Sequence, residues 1–264
     1  MPELAEVEYF RKRWAPGFGQ RVIHVDLHAS ARVFRGCDAA ALEQGLSGAT
    51  LRNGWSRGKQ MLFGFSGGRW LGVHLGMTGE LAEEPPGFSP GKHDHLILRQ
   101  HRRSLVFRDP RLFGRIRFDQ SPEPPSWWQA LPPGVLEAPF TRDYLAGAAR
   151  RRAGTPLKAF LLLQEHFPGI GNWMADEILW RCQLAPQRKA GTLTPTDLRR
   201  LHREIRHVAR TALRIIGETW GDLPDSWLFH HRWKDGGRCP RTGMVLVRET
   251  VGGRTTCWSP AWQR

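Results

Sequence analysis

The segment 167–181, FPGIGNWMADEILWR, decides how the second half of the chain folds. Helical periodicity precedes it in residues 156–167, PLKAFLLLQEHF, and resumes in residues 172–182, NWMADEILWRC. Between these two predicted helices stands a Pro-Gly-Ile-Gly turn, and Asn172 follows it at the start of the second helix. The glycines of such a turn let the backbone approach a phosphate closely, and the N-terminus of the following helix attracts its negative charge. An ordinary glycine turn between helices is the alternative interpretation.

The elements around this segment are also mostly helical. A short helix is predicted from about Thr141, and a long helix from Pro195 to about Gly217. The long helix has an N-cap residue, Thr194, and Asp197 stands in the capping-box position. After Cys239 the pattern changes to strand-like runs, MVLVRET and GRTTCW, around a VGG turn, which predicts a hairpin.

The first half of the chain has a different periodicity. A helix is predicted from Leu4 to Trp14, and short alternating runs such as RVIHVDL, KQMLFGF and HLILRQ follow, separated by glycines and polar turns. This pattern is typical of an antiparallel β-sandwich or barrel. The proline-rich stretch SPEPPSWWQALPPG then predicts a linker.

We therefore predict an α+β protein whose N-terminal antiparallel β-sandwich has a leading helix and whose C-terminal domain is helical. The predicted boundaries are 1–121 for the β-sandwich, 122–138 for the linker, 139–226 for the helical domain and 227–264 for the final hairpin.

The composition indicates a globular protein with a strong positive charge. Lysine and arginine number 39 against 25 aspartates and glutamates, which gives a formal net charge of +14. Such a surplus attracts polyanions, nucleic acid first and an anionic membrane surface second. No basic amphipathic helix with a clean lipid face stands out, and no apolar run is long enough to cross a bilayer. We expect a nucleic-acid partner and no membrane partner.

The N-terminal residues and the cysteines indicate where in the cell the protein is located. Glu3, Glu6 and Glu8 come early and no apolar region follows them, so no signal peptide is predicted. The four cysteines are far apart in the sequence and predict no disulfide framework. A reducing cytoplasm, in association with the nucleoid, is the expected location.

Pro2 is a candidate nucleophile. Removal of the initiator methionine is favoured when the next residue is small, and it would expose Pro2 as a secondary amine. An α-amino group titrates near ~7.7–8.0 whereas lysine titrates near ~10.4, so a useful fraction is nucleophilic at neutral pH. Attack on an aldehyde-level carbon gives a charged iminium, and Glu3 beside it can shuttle protons. A proline that merely starts a helix with an acidic first turn is the alternative.

Further motifs favour the catalytic interpretation. In chain order they are SRGKQMLF from residue 56, VHLGMTGEL from 73, GKHDHLIL from 91, FRDPRLFGRIRF from 107 and the opening segment of this section. With the N-terminal PELAEVE, the chain resembles the formamidopyrimidine-DNA glycosylase and endonuclease VIII family of base-excision repair, from residue 2 to the C-terminus. Ala5 stands where the family usually has proline, which leaves Pro2 and Glu3 intact.

The resemblance implies a bifunctional DNA glycosylase and abasic-site (AP) lyase that needs no cofactor. Pro2 would attack C1′ of the damaged nucleotide, Glu3 would be the general acid, and Lys59 would assist at the sugar and its phosphate. The base leaves and an iminium, or Schiff base, remains. Loss of the C2′ proton then eliminates the 3′ phosphate, and a second (δ) elimination releases the 5′ phosphate.

The resemblance also implies residues that contact DNA. A damaged base must be flipped out of the duplex, and side chains must fill the space that it leaves. The matching void-filling positions are Met77, Arg111 and Phe113, two apolar wedges and a guanidinium that can bond the orphaned base. Without the resemblance, Met77 and Phe113 would be core residues. Five further positions match family residues that contact DNA or the lesion: His74, His93, Lys158, Asn172 and Arg254.

The C-terminal hairpin departs from the family pattern. The family form places four cysteines there, which bind zinc as thiolates. Here Cys239 is kept, and the other three places hold Thr242, Ser259 and Trp262. Hydroxyl groups and an indole do not form a structural zinc site, so we predict a zincless finger and no metal. A nonstandard site would need the residues Cys239, Cys257, His230 and His231, and no recognised ligand spacing supports it.

The sequence predicts a monomeric repair enzyme that acts on damaged double-stranded DNA. The stretch before the hairpin, residues 218–238, is shorter than in members that specialise in 8-oxoguanine, so we expect a preference for ring-opened purines or oxidised pyrimidines. A noncatalytic protein that binds damaged DNA on the same scaffold is the main alternative. It would need Asn172 and Arg254 but not Pro2, Glu3 and Lys59 together. An anionic-membrane binder is the third.

Overall fold

The computed structural model describes residues 1–264, and the chain divides into two compact units. The first unit comprises Met1–Pro2 and Glu6–Leu131, and the second comprises Glu3–Ala5 and Pro132–Arg264. The proline-rich stretch that we assigned to a linker therefore contributes to both units.

The first unit is built from two antiparallel sheets. Its strand orders are β1-β6-β7-β5 and β2-β3-β4-β8. The elements are helices α1 (Leu4–Arg13), α2 (Ala39–Leu46) and α3 (Ser126–Gln129), and strands β1 (His24–Leu27), β2 (Leu51–Arg57), β3 (Gln60–Phe65), β4 (Arg69–His74), β5 (Glu80–Glu84), β6 (Asp94–Arg99), β7 (Ser104–Arg108) and β8 (Arg115–Gln120).

The two sheets share one hydrophobic core. Buried side chains from both sheets belong to it, among them Phe63 of β3 and Leu98 of β6, and helix α1 contributes Val7. Alternating residues of each strand point to this core, which is why the sequence shows period-two runs. The predicted β-sandwich with a leading helix is confirmed.

The first part of the proline-rich stretch folds onto this unit. Helix α3, which the sequence did not predict, places Trp127 so that its Nε1 donates to Asp119 Oδ2 at 3.0 Å. The Arg117 guanidinium lies 4.6 Å from the centre of the Trp127 ring. An indole with one polar contact and one cation contact is well suited to a half-buried position.

The second unit is helical and ends in a hairpin. Its elements are α4 (Arg142–Arg151), α5 (Leu157–Leu161), α6 (Asn172–Cys182), α7 (Pro195–Thr219), β9 (Val247–Val251) and β10 (Arg254–Trp258). Helix α7 begins as predicted, because Thr194 accepts from Asp197 N at 3.1 Å and the Asp197 carboxylate accepts from Thr194 N at 3.0 Å. Buried apolar side chains of α4 to α7 form the core of this unit.

Helix α5 is shorter than predicted. The sequence predicted helix over residues 156–167, but the chain turns after Leu161. The side chain of Gln164 holds the turn, because Gly169 N donates to its Oε1 at 3.1 Å and its Nε2 donates to Ile170 O at 2.8 Å. Side-chain bonds to the backbone replace further helical bonds here. None of the helices in the chain is long and apolar enough to span a membrane.

Candidate active site and nucleic-acid interface

Glu3 is held at the start of helix α6. Its Oε2 accepts from Gly171 N at 2.9 Å and from Met174 N at 3.1 Å, and its Oε1 accepts from Trp173 N at 3.0 Å. The first N–H groups of a helix have no partner within the helix and carry partial positive charge, so they fix a carboxylate firmly. The side chain is almost fully buried, at 3% exposure. The helix start that the sequence predicts to meet a phosphate thus also holds a catalytic candidate.

Gly171 is required for this contact. A Cβ atom at this position would lie 2.2 Å from the Glu3 carboxyl carbon and 2.4 Å from its Oε1. Any larger residue would therefore push the Glu3 carboxyl away from the helix start. Gly171 of the PGIGN motif therefore forms part of the turn and also leaves room for the Glu3 side chain.

Pro2 directly precedes this fixed carboxyl. In the chain described here Met1 is present and half exposed, so the Pro2 nitrogen is part of a peptide bond. The amine is generated only when Met1 is removed, and the amine is then one residue from Glu3.

Lys59 and His74 come together in the first unit. Gly58 and Lys59 form the two-residue turn between β2 and β3, and the β3–β4 register pairs Gln60 with His74. Burial and the charges of Lys59, Arg117 and Arg35 lower the pKa of His74 to about 4. The imidazole is therefore neutral at physiological pH.

The hydrogen bonding of His74 also defines its tautomer. Gly76 N donates to His74 Nδ1 at 3.0 Å, so Nδ1 is the acceptor and Nε2 carries the proton. A neutral imidazole with a protonated Nε2 is a hydrogen-bond donor for a phosphate oxygen.

Three arginines lie near His74: Arg35, Arg115 and Arg117. They were not among the site residues predicted from the sequence. Burial, followed by the charge of Arg115, lowers the pKa of both Arg35 and Arg117. Arg115 lies opposite His74 in the β4–β8 register. Cations gathered in this way repel one another, and a bound polyanion relieves the repulsion. Their alternation along GRIRF is the sequence signal that could have identified the two on β8.

The predicted void-filling residues lie on two loops that one buried aspartate joins. Asp109 Oδ1 accepts from Thr78 Oγ1 at 2.8 Å and from Arg111 N at 3.2 Å, and Oδ2 accepts from Gly114 N at 2.7 Å. Met77 precedes Thr78 on the β4–β5 loop, and Phe113 precedes Gly114 on the β7–β8 loop. We call Asp109 with these three donors the Asp109 cluster.

Both apolar wedges are exposed. Met77 is 43% exposed and Phe113 is 41% exposed, and the Arg111 guanidinium lies 4.9 Å from the centre of the Phe113 ring. Gly76, at φ +65°, allows the loops to meet, because a Cβ there would lie 2.4 Å from the Phe113 carbonyl carbon. These side chains are therefore surface groups on a rigid support and not core residues.

His93 is tied to the same support through its backbone. Asp109 N donates to His93 O at 3.0 Å, and the histidine side chain is half buried just before β6. The structure thus brings His93 into contact with the residue that joins the two loops.

Asn172 and Arg254 are brought together in the second unit. Asn172 Nδ2 donates to Thr255 O at 2.9 Å, which joins the first residue of α6 to strand β10. Arg254 is the neighbour of Thr255 at the start of β10 and is exposed. Two predicted DNA contacts therefore share one edge of this unit.

Lys158 differs from the expectation of a direct DNA contact. Its side chain is fully buried, and its Nζ donates to Asp176 Oδ1 at 2.5 Å and to Asn172 O at 2.7 Å. Burial lowers the pKa of Lys158, and the Asp176 carboxylate opposes this change. Because no surface of the ammonium faces solvent, we correct its assignment to a residue that positions Asn172.

Asp176 connects this lysine to the hairpin. Its Oδ2 accepts from Arg232 Nε at 3.1 Å and from Cys257 N on β10 at 3.1 Å. We call Asp176, Lys158, Arg232 and the Cys257 amide the Asp176 cluster. Sequence reasoning missed Asp176, because its partners are distant in the chain and only the fold brings them together.

The residues of the hairpin do not fit a zinc ion. Burial raises the pKa of the Cys239 thiol, but hydrogen bonds from Thr242, Trp180 and Ser259 bring it down to about 7. The indole Nε1 of Trp262, the fourth family position, donates to Trp180 O at 3.0 Å. No group of three or more histidine, cysteine, aspartate or glutamate side chains could hold a metal ion. One thiol without further thiolate or imidazole ligands does not bind structural zinc.

The nonstandard alternative also lacks an arranged donor set. His230 Nε2 lies 2.7 Å from Leu223 O, and burial raises the pKa of Cys257 to about 11. The His230 ring is therefore already hydrogen-bonded and the Cys257 thiol is protonated, so neither is available as a metal ligand.

The first unit presents exposed apolar side chains and a cluster of cations, and the second holds a carboxyl that directly follows Pro2 in the sequence. These features are typical of an enzyme that acts on DNA. Known proteins agree. The models of the formamidopyrimidine-DNA glycosylase N-terminal domain and H2TH domain match residues 1–116 and 131–222. Curated formamidopyrimidine-DNA glycosylases of Xanthomonas campestris pv. campestris and Thermus thermophilus are 36% and 34% identical to this chain. The alignments cover all of this chain and 100% and 98% of those proteins.

Solved structures show the same architecture over the full length. The Lactococcus lactis Fpg (MutM) bound to DNA containing N7-benzyl-Fapy-dG has a TM-score of 0.88. MutM in complex with DNA containing carbocyclic 8-oxo-G has a TM-score of 0.89. Both are 25% identical, and the matches cover 100% of each chain. The chain belongs to the formamidopyrimidine-DNA glycosylase family, whose members are base-excision repair glycosylases with AP lyase activity. The predicted family and enzyme class are confirmed.

Proposed function

We propose that this chain excises ring-opened purines or oxidised pyrimidines from duplex DNA with Pro2 as the nucleophile. The Pro2 amine attacks C1′ while the bond from C1′ to the base breaks. The Glu3 carboxylate accepts the proton that the Pro2 nitrogen loses and, as the general acid, passes it to the leaving base. The sugar ring opens to an iminium on Pro2, and water protonates the ring oxygen O4′. Loss of the C2′ proton then breaks the bond from C3′ to the 3′ phosphate, and a further elimination releases the 5′ phosphate.

The observation that carries this proposal is the fixed Glu3 carboxyl. Three backbone N–H groups at the start of α6 hold it one residue after Pro2, and a glycine leaves room for it. A carboxyl that only began a helix would need no such arrangement with a distant part of the chain. Preorganised positioning of this kind is what proton transfer requires.

The remaining predicted residues have roles in DNA binding in this proposal. Lys59 and the neutral His74 bind phosphate oxygens, and so do Asn172 and Arg254 on the other unit. Met77, Arg111 and Phe113 enter the space of the flipped base. His93, whose backbone carbonyl bonds Asp109 N, contacts the DNA or the lesion. The protein acts as a monomer in the cytoplasm, at the nucleoid, because its substrate is there.

The lesion preference rests on the region before the hairpin. Residues 218–238 form a short segment with the 3₁₀ turn Leu228–His231, and no strand or long loop. A preference for ring-opened purines or oxidised pyrimidines over 8-oxoguanine follows from this short segment. This preference is tested by comparing excision rates on duplexes that carry each lesion opposite cytosine.

Borohydride trapping on duplex DNA with an abasic site tests the nucleophile. Protein whose intact mass confirms the loss of Met1 should form a covalent adduct that maps to Pro2. The Pro2→Gly variant should still bind the DNA but lose strand cleavage. Glu3→Gln is the matched control, because it should trap at a preformed abasic site while losing base excision. Native mass spectra of the same protein should show no zinc adduct.

The outcomes separate the proposal from its rival. Unchanged cleavage by Pro2→Gly would refute the assigned nucleophile. No adduct from wild-type protein that starts at Pro2 would favour the noncatalytic protein that binds damaged DNA.

A further inference from the structure

An aromatic ladder begins beside the Glu3 carboxyl and ends at the surface. Trp173, whose N–H bonds Glu3, packs against Phe229 with ring centres 5.1 Å apart at 79°. Phe229 packs against Trp233 with ring centres 5.2 Å apart at 86°. Edge-to-face pairs of this kind have defined geometry and hold each ring in place. The catalytic candidate and an exposed indole are therefore connected by rigid contacts within one unit.

Trp233 is fixed although it is exposed. Its neighbour Arg232 is almost fully buried, bonded to Asp176, and its guanidinium lies 4.7 Å from the centre of the Trp233 ring. The indole itself is 56% exposed. Leaving such a large apolar ring in water forgoes the free energy of burial, so a ring that is both exposed and fixed from behind suits a binding surface.

The occupant that fits this surface is a nucleobase. Bases extruded from a duplex are read by stacking on aromatic side chains, and every planar base has a face that stacks. A cation on the far side of the indole adds to such stacking. We propose that Trp233 is the platform on which the extruded damaged base stacks. The inference rests on the proposed function, because it presumes that the base leaves the duplex beside Glu3.

A comparison of two substrates tests this role. Trp233→Ala should slow single-turnover excision from duplex DNA carrying ring-opened 7-methylguanine by about 5- to 150-fold, the fold-change that corresponds to the stacking energy of one base. The same variant should cleave a duplex with a preformed abasic site at the wild-type rate, because no base is present to stack. A merely structural role would slow both reactions equally.

Three further variants sharpen the test. Trp233→Phe keeps an aromatic face and should retain most of the excision rate, whereas Trp233→Leu keeps only the apolar contact with Phe229 and should lose it. Trp220→Ala removes another indole, 49% exposed at the C-terminal cap of α7, and should behave as wild type on both substrates.

Two results would overturn the inference: wild-type excision by Trp233→Ala and Trp233→Leu, or an equal loss on both substrates. Failure of the proposed function is distinguishable, because the wild-type protein itself would then neither trap nor cleave the abasic duplex.

Discussion

In each unit one buried aspartate supports side chains that we propose to contact DNA, but the two aspartates have different partners. Asp109 accepts from a hydroxyl and two backbone N–H groups, which are neutral donors. Asp176 accepts from an ammonium, a guanidinium and one backbone N–H. Both carboxylates are almost fully buried. The first arrangement shapes two loops locally, whereas the second joins helix, turn and hairpin across the sequence.

The difference indicates what holds this hairpin in place, since its residues do not form a zinc ligand set. A zinc ion would crosslink the hairpin through four ligands, and here the Asp176 cluster connects β10 to helices α5 and α6. Trp180 of α6 adds a bond to Cys239 at 3.4 Å, and the buried Gln263 side chain accepts from Ser259 N at 2.9 Å. Buried ions in hydrogen-bonded networks give specific geometry at a high desolvation cost. Loss of one member should therefore be strongly destabilising.

The largest effect is expected for Asp176→Ala. The change leaves Lys158 and Arg232 buried without their counter-charge, and breaking a buried pair in this way costs about 3–5 kcal/mol. Urea unfolding should show this loss, and hydrogen exchange should show opening of β9 and β10 before the helices. Asp176→Asn, which keeps the shape and one acceptor, should lie between the alanine variant and the wild type.

An exposed pair in the same region provides the control. Asp235 bonds Arg248 at 2.9 Å and is 89% exposed, so Asp235→Ala should cost less than about 1 kcal/mol. Equal losses for Asp176→Ala and Asp235→Ala would refute the idea that the buried cluster takes the place of a metal.

A smaller effect is expected for Asp109→Ala. Its donors are neutral, so the cost is that of buried polar groups left unsatisfied, about 1–3 kcal/mol. The loops that carry Met77 and Phe113 should lose their fixed geometry. Damaged-base excision should therefore fall more than the unfolding free energy alone explains. Parallel urea unfolding and single-turnover excision check this, and a loss of stability larger than that of Asp176→Ala would contradict the comparison.

The same contrast explains how far the sequence could predict the structure. Local signals were sufficient for many elements: Thr194 and Asp197 marked the start of α7, and alternation marked strands in both sheets. Strands β2 and β5 and helix α2 were not among the predicted elements. Burial of Lys158 was not visible, because its partner Asp176 lies on the following helix. The early end of α5 was missed because no glycine or proline directly follows Leu161, and the Gln164 side-chain bonds that hold the next turn are not visible in the sequence.

The residues of the candidate site also differ in whether local sequence could identify them. Pro2, Glu3 and the wedge positions could be named from motifs, because each motif is a short local run. The contacts that hold the site together are distant in the chain: Glu3 bonds backbone N–H groups 168 to 171 residues away, and Asp109, which supports the wedge loops, bonds Thr78 31 residues away. Asp176, which supports the hairpin, bonds Cys257 81 residues away. No periodicity records such contacts, so supporting residues become visible only in the folded chain.

Glu177, the neighbour of Asp176 on α6, sharpens the comparison within one helix through the pH dependence of stability. Its Oε2 accepts from Phe229 N at 3.1 Å, but its Oε1 has no hydrogen-bond partner, and Arg181 lies 3.7 Å away. Burial raises the pKa of Glu177 to about 8, although Arg181 opposes the change. Burial outweighs the charge of Arg181, which lies beyond hydrogen-bond distance, so the carboxyl is protonated in the folded chain at neutral pH. Asp176, by contrast, accepts hydrogen bonds from two cations.

Linkage gives the sign of the pH dependence. Because the folded pKa is raised, the folded chain binds more protons than the unfolded chain between about pH 4.5 and 8, and the contribution of Glu177 to stability is lost as pH rises through that window. Glu177→Gln cannot titrate, so its stability relative to wild type should increase from pH 5 to pH 8 and then level off. Urea unfolding midpoints across this range measure the difference, with the exposed Glu165→Gln as the control. A difference that stays constant with pH would mean that Glu177 is ionised in the folded chain, and the contrast with Asp176 would then lie in hydrogen bonding alone.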